Sequence, residues 1–358
     1  MNTPSIAEME RAVGRRDASY DGIFLVAVKT TGIFCRPSCP SRPARPENRR
    51  YFPSVRAAQA AGFRACKRCR PMDNWQHPAW VCTLLDRLAN SPQKRVPDGA
   101  MRRMGIDPVR ARRYFFKNFG MSFQTYCRRQ KMGEALIDIR DGSDISNVVF
   151  EQGYQSDSGF REAFRKTFGT PPGKSRQSNC IKVDWVSSPL GPLVIAACDQ
   201  GVCLLEFARG RGMGSDLAPV AYELEATVVP GRHPYLDQLK AELAEYFACE
   251  RKDFAVPLVY PGTPFQRAAW DQLIEIPYGT TISYAEEARR MGVPRAQRAV
   301  GRANGQNRIA ILIPCHRVVN KSGRLGGYGG GLWRKQFLLD LEQGSGLYPL
   351  PNGNGQSD

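Results

Sequence analysis

Residues Ile309 to Val318 read Ile-Ala-Ile-Leu-Ile-Pro-Cys-His-Arg-Val, so a thiol, an imidazole and a guanidinium follow one another behind a five-residue apolar run. The run has the length and β-branching of a buried strand, and Pro314 fixes the backbone where that strand would stop. A cysteine is a useful nucleophile only as the thiolate, which a neighbouring base or cation must stabilise. His316, one of only three histidines in the chain, adjoins Cys315. Taken alone, these residues also fit a plainer role, a small side chain closing a strand.

A second group of thiols has metal-ligand spacing. Cys35 and Cys39 form C-x3-C, and after 26 residues Cys66 and Cys69 form C-x2-C. Two close pairs suit a tetrahedral four-thiolate zinc site, each pair spanning one edge. Arg42, Arg45, Arg49 and Arg50 lie between the pairs, and Arg64, Lys67, Arg68 and Arg70 surround the second. Four thiolates on Zn²⁺ leave two formal negative charges. Alkylation of one ligand would make it a neutral thioether and remove one of them. Repulsion of a phosphate backbone would drop, so alkylation would strengthen DNA binding. A zinc that only holds a small domain together is the plainer alternative.

The elements that must position these groups span 358 residues, which predicts two or three domains. A hydrophobic content of 42% supports real cores, and a net charge of +17 suits a polyanionic partner. The charge is uneven: +8 over residues 1–78, +8 over 79–180, −4 over 181–260 and +5 over 261–358. Three basic regions around an acidic one match three nucleic-acid surfaces and one scaffold. Met1 to Tyr20 is polar and charged, unlike a signal peptide, and Ile23 to Val28 is too short to span a bilayer. The expectation is a cytoplasmic, nucleoid-associated protein without a membrane partner. Its eleven cysteines then point to metal or thiol chemistry over disulfides.

Pro71 to Pro78 reads as a linker. Beyond it, Val81, Leu84, Leu85 and Leu88 recur at helical spacing. Gly105 supplies a turn, Asp107 a cap and Pro108 a first helical residue, followed by Arg110, Arg112 and Arg113. About fifty residues later the theme repeats. Ile145, Val148 and Val149 begin a helix, Gly153-Tyr154 turns, and Ser156 to Lys166 carries Phe160 and Phe164 inward and Arg161, Arg165 and Lys166 outward. Phe123 to Ile139 joins the copies as one long amphipathic segment. An ordinary helical bundle with solvated arginines is the alternative for either copy alone.

A new domain begins after Cys180. Val183 to Ala197 and Val202 to Phe207 read as a hairpin turning at Asp199-Gln200-Gly201, Arg209 to Gly214 as an exposed loop, and Leu236 to Phe247 as a helix. Phe265 to Trp270 opens a further helix, Pro277-Tyr278-Gly279 turns, and Ser283-Tyr284-Ala285 starts another. Pro294 suits the start of a helix over Arg295 to Asn304. That helix mixes Ala296, Ala299, Gly301 and Ala303 with Arg295, Arg298 and Arg302, which fits close approach to a nucleic-acid groove. Gly344 to Asp358 reads as a disordered tail.

Thr30-Thr31-Gly32-Ile33-Phe34-Cys35-Arg36-Pro37-Ser38-Cys39, with Ala61-Gly62-Phe63-Arg64-Ala65-Cys66-Lys67-Arg68-Cys69, resembles the amino-terminal domain of the Ada family, bifunctional DNA-repair methyltransferases and transcriptional activators. The resemblance implies one Zn²⁺ on all four cysteines, with Cys35 taking a methyl group from a DNA methylphosphotriester. It also implies Thr31, Arg42 and Arg64 at the DNA. Pro40 departs from the pattern, where a basic residue is more familiar. The second helical copy, through Phe168-Gly169 and Pro171-Pro172, resembles the AraC-type signature; in the first, Pro97-Asp98-Gly99 and Met101 depart from it.

Phe265 to Glu342 resembles the alkylguanine-DNA alkyltransferases, with Pro314-Cys315-His316-Arg317-Val318 the most diagnostic motif. This implies Cys315 as acceptor of the methyl group of O6-methylguanine, and also of O4-methylthymine. It further implies His316 as base, Glu342 as its orienting carboxylate, Arg298 as the side chain filling the gap left by a flipped base, Tyr284 as an aid to flipping, Asn307 at the hinge and Tyr328 in the pocket loop. Gly329 stands where some relatives carry serine. A methyl group inside a stacked duplex is out of reach, so flipping is required, and the thioether product has no good leaving group.

The implied fold is multidomain. A zinc-binding α/β domain (1–78) precedes an AraC-type double helix-turn-helix domain (79–180). An RNase H-like α/β subdomain and a winged helix-turn-helix alkyltransferase domain (181–344) follow, and then a tail (345–358). The expected partners are alkylated double-stranded DNA, promoter DNA and RNA polymerase, and the expected state is a monomer. Two other functions compete: a zinc-containing AraC-type regulator whose last domain only binds DNA, and a Cys-His-Glu hydrolase, which would turn over.

Overall fold

A computed structural model describes residues 4–17, 20–21, 23–71, 78–91, 95–175, 178–207 and 214–344. It divides into two compact units: residues 1–75, 264–307 and 313–358 in the first, 76–263 and 308–312 in the second. The linker core, the loop at 208–213 and the tail from 345 lie outside the described residues. No helix among the described residues is long and apolar enough to cross a membrane.

In the amino-terminal part of the first unit, α1 (Ile6–Arg15) precedes β1 (Leu25–Val28), β2 (Ile33–Cys35), β3 (Arg49–Phe52), α2 (Val55–Ala60) and β4 (Arg64–Ala65). The sheet order is β3-β1-β2-β4, with β2 and β4 parallel. Phe24, Phe34 and Ala27 fill its core.

The second unit starts with six helices: α3 (Ala79–Ala89), α4 (Asp98–Arg103), α5 (Pro108–Phe119), α6 (Phe123–Arg140), α7 (Ile145–Glu151) and α8 (Asp157–Phe168). The expected caps are in place. The Asp107 carboxylate accepts from Val109 N at 2.9 Å, Pro108 opens α5, and Ser156 Oγ accepts from Gly159 N at 3.2 Å. Phe160, Phe164 and Phe168 are buried, while Arg110, Arg112, Arg113, Arg161, Arg165 and Lys166 are exposed.

The sheet that follows has the order β7-β6-β5-β8, from β5 (Asn179–Val186), β6 (Leu193–Cys198), β7 (Gly201–Phe207) and β8 (Ala226–Pro230), with α9 (Gly214–Glu223) and α10 (Pro234–Phe247). The stretch Val183 to Ala197, read as one strand, is two antiparallel strands. Ser188 Oγ donates to Gly191 O at 2.6 Å, and Gly191 adopts φ 97° beside Pro192, which breaks the run into a turn. The six helices and this sheet share a core. The Phe119 and Trp185 rings lie 4.2 Å apart, and a Cβ on Gly133 of α6 would meet the Val229 side chain of β8 at 2.6 Å.

The rest of the first unit comprises α11 (Pro264–Ile274), β9 (Ile282–Ser283), α12 (Tyr284–Arg290), α13 (Gln297–Asn304), β10 (Val318–Val319) and α14 (Leu332–Glu342). Two expectations need correction. The helix predicted from Pro294 begins at Gln297, because Ala296 N bonds back to Val293 O at 2.8 Å and closes Pro294-Arg295 into a separate turn. The apolar run Ile309 to Ile313 is not a strand. Ile309, itself part of the second unit, forms an isolated bridge to Leu205 of the same unit, and the chain then turns, with Ile311 at φ 73°. The run is buried throughout, and burial without alternation does not distinguish a strand from an enclosed turn. A β-branched residue in the left-handed region is strained, and tight enclosure holds it there.

Candidate functional site

The β2–β4 register assembles the amino-terminal site. Arg64 N donates to Gly32 O at 2.8 Å and Cys66 N to Phe34 O at 2.9 Å, so Cys35 at the end of β2 and Cys66 after β4 reach the same end of the sheet. Cys39 N to Arg36 O (3.1 Å) and Arg70 N to Cys66 O (2.9 Å) close the turns within each cysteine pair. The four sulfurs lie within 4.8 Å of one another. Tetrahedral zinc with Zn–S of about 2.3 Å needs sulfurs roughly 3.8 Å apart, so the cluster fits the ion.

The thiols already compete for protons. Hydrogen bonding from Cys35 pulls Cys69 down to about 5, and the same bond, then burial, pushes Cys35 up. Arg36 N also donates to Cys69 Sγ at 3.4 Å. Sulfurs that share protons in this way bind a divalent cation by releasing them. Asp21, buried, accepts from Ser38 N at 3.0 Å and from Ser38 Oγ, pinning the first cysteine loop, a role that no local motif signals. Thr31, Arg42 and Arg64 are exposed, and the strand pairing places Arg64 beside Ile33, two residues from Thr31.

The second site is built on a 3-10 turn, Cys315 to Arg317, entered through Pro314. Asn307 Nδ2 donates to Ile313 O at 2.7 Å and to Cys315 Sγ at 3.3 Å, so the asparagine clamps the turn and supports the sulfur's charge. Cys315 keeps part of its surface accessible, whereas His316 and Arg317 are buried. Burial pushes the Cys315 thiol up, while the Asn307 bond and the Lys335 ammonium pull it down.

His316 Nε2 and Glu342 Oε1 are 2.8 Å apart. The carboxylate also accepts from Arg317 Nε (2.9 Å) and Nη2 (3.0 Å) and from Gly279 N (3.2 Å). Burial would raise the Glu342 carboxyl, but the bonds and charges of His316 and Arg317 outweigh it and hold it well below the usual range. Burial also lowers His316, which is therefore neutral at physiological pH and carries its proton on Nε2 towards the carboxylate. Its Nδ1 is buried with no partner among the described residues, which leaves a lone pair for a proton.

Around the thiol, Tyr284 is half-buried and its hydroxyl donates to Gly327 O at 3.5 Å. Gly326 admits it: a Cβ there would fall 2.7 Å from the ring and hydroxyl. Arg298 is exposed on α13, and Trp270 Nε1 donates to Ala303 O at 3.0 Å, holding α13 on α11. Tyr328 is half-buried in the loop that leads to α14. Sequence reasoning gave no role to Arg317 or Lys335. Arg317 stands inside the diagnostic motif, and Lys335 precedes Glu342 by seven residues, a spacing that puts both on one face of α14.

Four family models match the chain in order: the metal binding domain of Ada (8–72), a helix-turn-helix domain (101–178), and the ribonuclease-like (181–260) and DNA-binding (264–344) domains of 6-O-methylguanine DNA methyltransferase. The regulatory protein ada of Salmonella typhimurium is 34% identical over 350 residues, 92% of this chain and 94% of its own length. The bifunctional transcriptional activator/DNA repair enzyme Ada of Escherichia coli is 31% identical over 344 residues, 93% and 95% respectively. A methylated-DNA–protein-cysteine methyltransferase of Methanosarcina acetivorans is 41% identical over 155 residues, covering 43% of this chain and 94% of its own. With these four domains matched in this order, and two relatives above 30% identity aligned over more than nine-tenths of its length, the chain belongs to the Ada family.

Proposed function

We propose that the chain is a DNA-repair methyltransferase and transcriptional activator with two methyl acceptors, Cys315 for O6-methylguanine and O4-methylthymine, and Cys35 for methylphosphotriesters. The observation that carries the Cys315 assignment is the partly accessible sulfur held by Asn307 next to the enclosed His316–Glu342 pair. His316, oriented by Glu342, removes the thiol proton through Nδ1, directly or by way of a water. The thiolate attacks the methyl carbon, the C–S bond forms as the C–O bond breaks, and the electron pair leaves on the base oxygen. The purine anion then takes up a proton, so charge balances. The thioether cannot be expelled, and each chain acts once.

Reaching the methyl carbon requires the nucleotide to leave the duplex. Arg298 would fill the gap, Tyr284 would crowd the phosphate side of the flipped nucleotide, and Tyr328 would line its pocket. At the other site Cys35, Cys39, Cys66 and Cys69 would hold one Zn²⁺, which keeps the sulfurs ionised and nucleophilic when bound. Thr31, Arg42 and Arg64 would hold the phosphate backbone against Cys35. Methylation there removes one negative charge and strengthens the grip on promoter DNA.

The helices α5 and α8, with their exposed arginines, supply the DNA-reading faces. Activation then requires contact with RNA polymerase, for which Phe150, 82% exposed on α7, offers an apolar side chain. In this reading the chain works as a monomer and acts in the cytoplasm at the nucleoid. A regulator that only binds DNA would leave the enclosed Glu342, His316 and Arg317 network without a task. The test is mass spectrometry of the protein after incubation with methylated DNA: one added methyl on Cys315 and one on Cys35. An unmodified Cys315 sinks the repair reading, and an unmodified Cys35 reduces its domain to scaffold.

A further inference from the structure

The polar groups behind Cys315 exceed what the His316–Glu342 pair uses. Glu287 lies on α12, one helical turn after Tyr284, and is fully buried. Asn304 Nδ2, from α13, donates to its Oε2 at 2.7 Å. Its other oxygen, and Asn304 Oδ1, are buried and meet no donor among the described residues. Lys335, from α14, is equally enclosed. It donates to Val318 O at 2.5 Å and lies 5.8 Å from the Tyr284 ring. A carboxyl, an amide and an amine from three helices thus surround the inner side of Tyr284, and both the carboxyl and the amine act electrostatically on Cys315.

We propose that Glu287 is a positioning residue for methyl transfer: held by Asn304 in the enclosed space behind the thiol, it balances the charge of Lys335 and so sets how readily Cys315 becomes a thiolate. The proposal rests on Cys315 as the acceptor. Burying a carboxyl with a single neutral donor is unfavourable unless a cation or a proton compensates it. Lys335 is the cation at hand, and its ammonium has two further N–H groups beyond the one given to Val318.

Both groups change charge in the neutral range. Burial pushes Glu287 up to about 7 and pulls Lys335 down to about 8. The other groups that face this space are Tyr284 on the same helix, Cys315 on the turn, and His316, on which Lys335 also acts. A charged Lys335 favours the thiolate, and a charged Glu287 opposes it but keeps Lys335 protonated. Neutralising Glu287 therefore has two effects of the same direction on the pH profile. Above about pH 7, where the parent's Glu287 is charged, the thiolate forms more easily in its absence, and Lys335 loses its proton earlier.

The test is the pH dependence of single-turnover methyl transfer from an O6-methylguanine duplex to the full chain, compared with E287Q and E287L. The expected profiles part from the parent's above about pH 7, by about one unit of pH, a tenfold change in thiolate fraction at fixed pH. Variant and parent curves should coincide below about pH 7, where Glu287 already holds its proton, with the variants faster just above it and slower once Lys335 has lost its proton. N304A, which removes the donor and keeps Glu287 neutral to higher pH, should move the profile the same way by less. Superimposed profiles, or an equal loss at every pH, overturn the proposal, because a packing defect has no reason to depend on pH.

Alkylation of Cys315 by iodoacetamide gives a second readout without DNA and should show the same displacement; an unchanged profile counts against the role. A parent chain that alkylates with the expected pH dependence but never takes a methyl from DNA sinks the acceptor reading alone. If the variants fail to fold, infrared spectra of the parent chain decide. A protonated carboxylic acid band should fade as pH rises through neutrality, and its absence overturns the proposal.

Discussion

His316 Nε2 and Glu342 Oε1 lie 2.8 Å apart with both side chains fully enclosed, although 26 residues separate them in sequence. The carboxylate neutralises Arg317 and orients the imidazole with the same two oxygens. It follows that the two duties separate on mutation. E342Q keeps hydrogen-bonding capacity and loses the charge, so methyl transfer to Cys315 should slow by about 10²–10⁴. E342A removes the hydrogen bonds to Arg317 as well as the charge and should cost about 3–5 kcal/mol of stability, more than E342Q. Quenched-flow kinetics and denaturant unfolding distinguish the two; equal kinetic losses with no difference in stability would contradict this account.

Two buried glutamates give opposite pH signatures. The folded state holds Glu342 below its ordinary value near 4.5, so its stabilisation is present above that pH and fades as pH falls through the acid range. Glu287 is raised from 4.5 to about 7, so the folded state binds the extra proton, and its contribution is lost as pH rises between those values. Urea titrations of E287Q should lack the decline of stability from pH 4.5 to 7, a difference of at most about 3 kcal/mol. A decline unchanged in E287Q would assign it to another group.

Metal content should be one Zn²⁺ per chain, and C39S or C66S should lower it. A chelator should unfold the 8–72 domain, whereas O6-methylguanine repair by Cys315 should survive, because no residue of that site lies in the cysteine cluster. Chain methylated on Cys35 should bind promoter DNA more tightly than unmethylated chain. Equal affinity at matched salt would remove the charge switch.

Arg298 is exposed on the small-residue helix α13. R298A should slow repair of a matched duplex about 10- to 100-fold, the equivalent of a few kcal/mol of lost support for unstacking, and slow repair of a single strand much less. Equal losses on both substrates would place Arg298 outside the flipping step.

Gly133 permits α6 to approach β8, and G133V should cost about 1–3 kcal/mol through overpacking against Val229. Denaturation followed at Trp185, which packs on Phe119 in the same unit, should report that loss; an unchanged midpoint would mean the helix moves aside freely.

Local chemistry made much of this legible in advance. Asp107-Pro108, Ser156 and the Phe160–Phe164–Phe168 stripe specify caps and faces within a few residues, and they fold as read. The Cys35–Cys39 and Cys66–Cys69 pairs likewise meet. Two of the misreadings share a cause. Ile309 to Ile313 and Val183 to Ala197 are apolar runs whose burial is decided by distant partners, so pattern alone could not place the turns inside them. Glu287 was invisible for the same reason: an acid in Ala-Glu-Glu-Ala reads as solvated until Asn304 and Lys335 close over it.

Glu342 follows Cys315 by 27 residues and belongs to the helix α14. On the ribosome the thiol and imidazole are therefore made before the carboxylate proposed to orient them. Until α14 has formed and docked, Arg317 has no counter-ion and His316 no fixed tautomer, so a nascent chain should be a poor methyl acceptor. On the proposed mechanism, a chain that stops short of α14 should keep its thiol unspent.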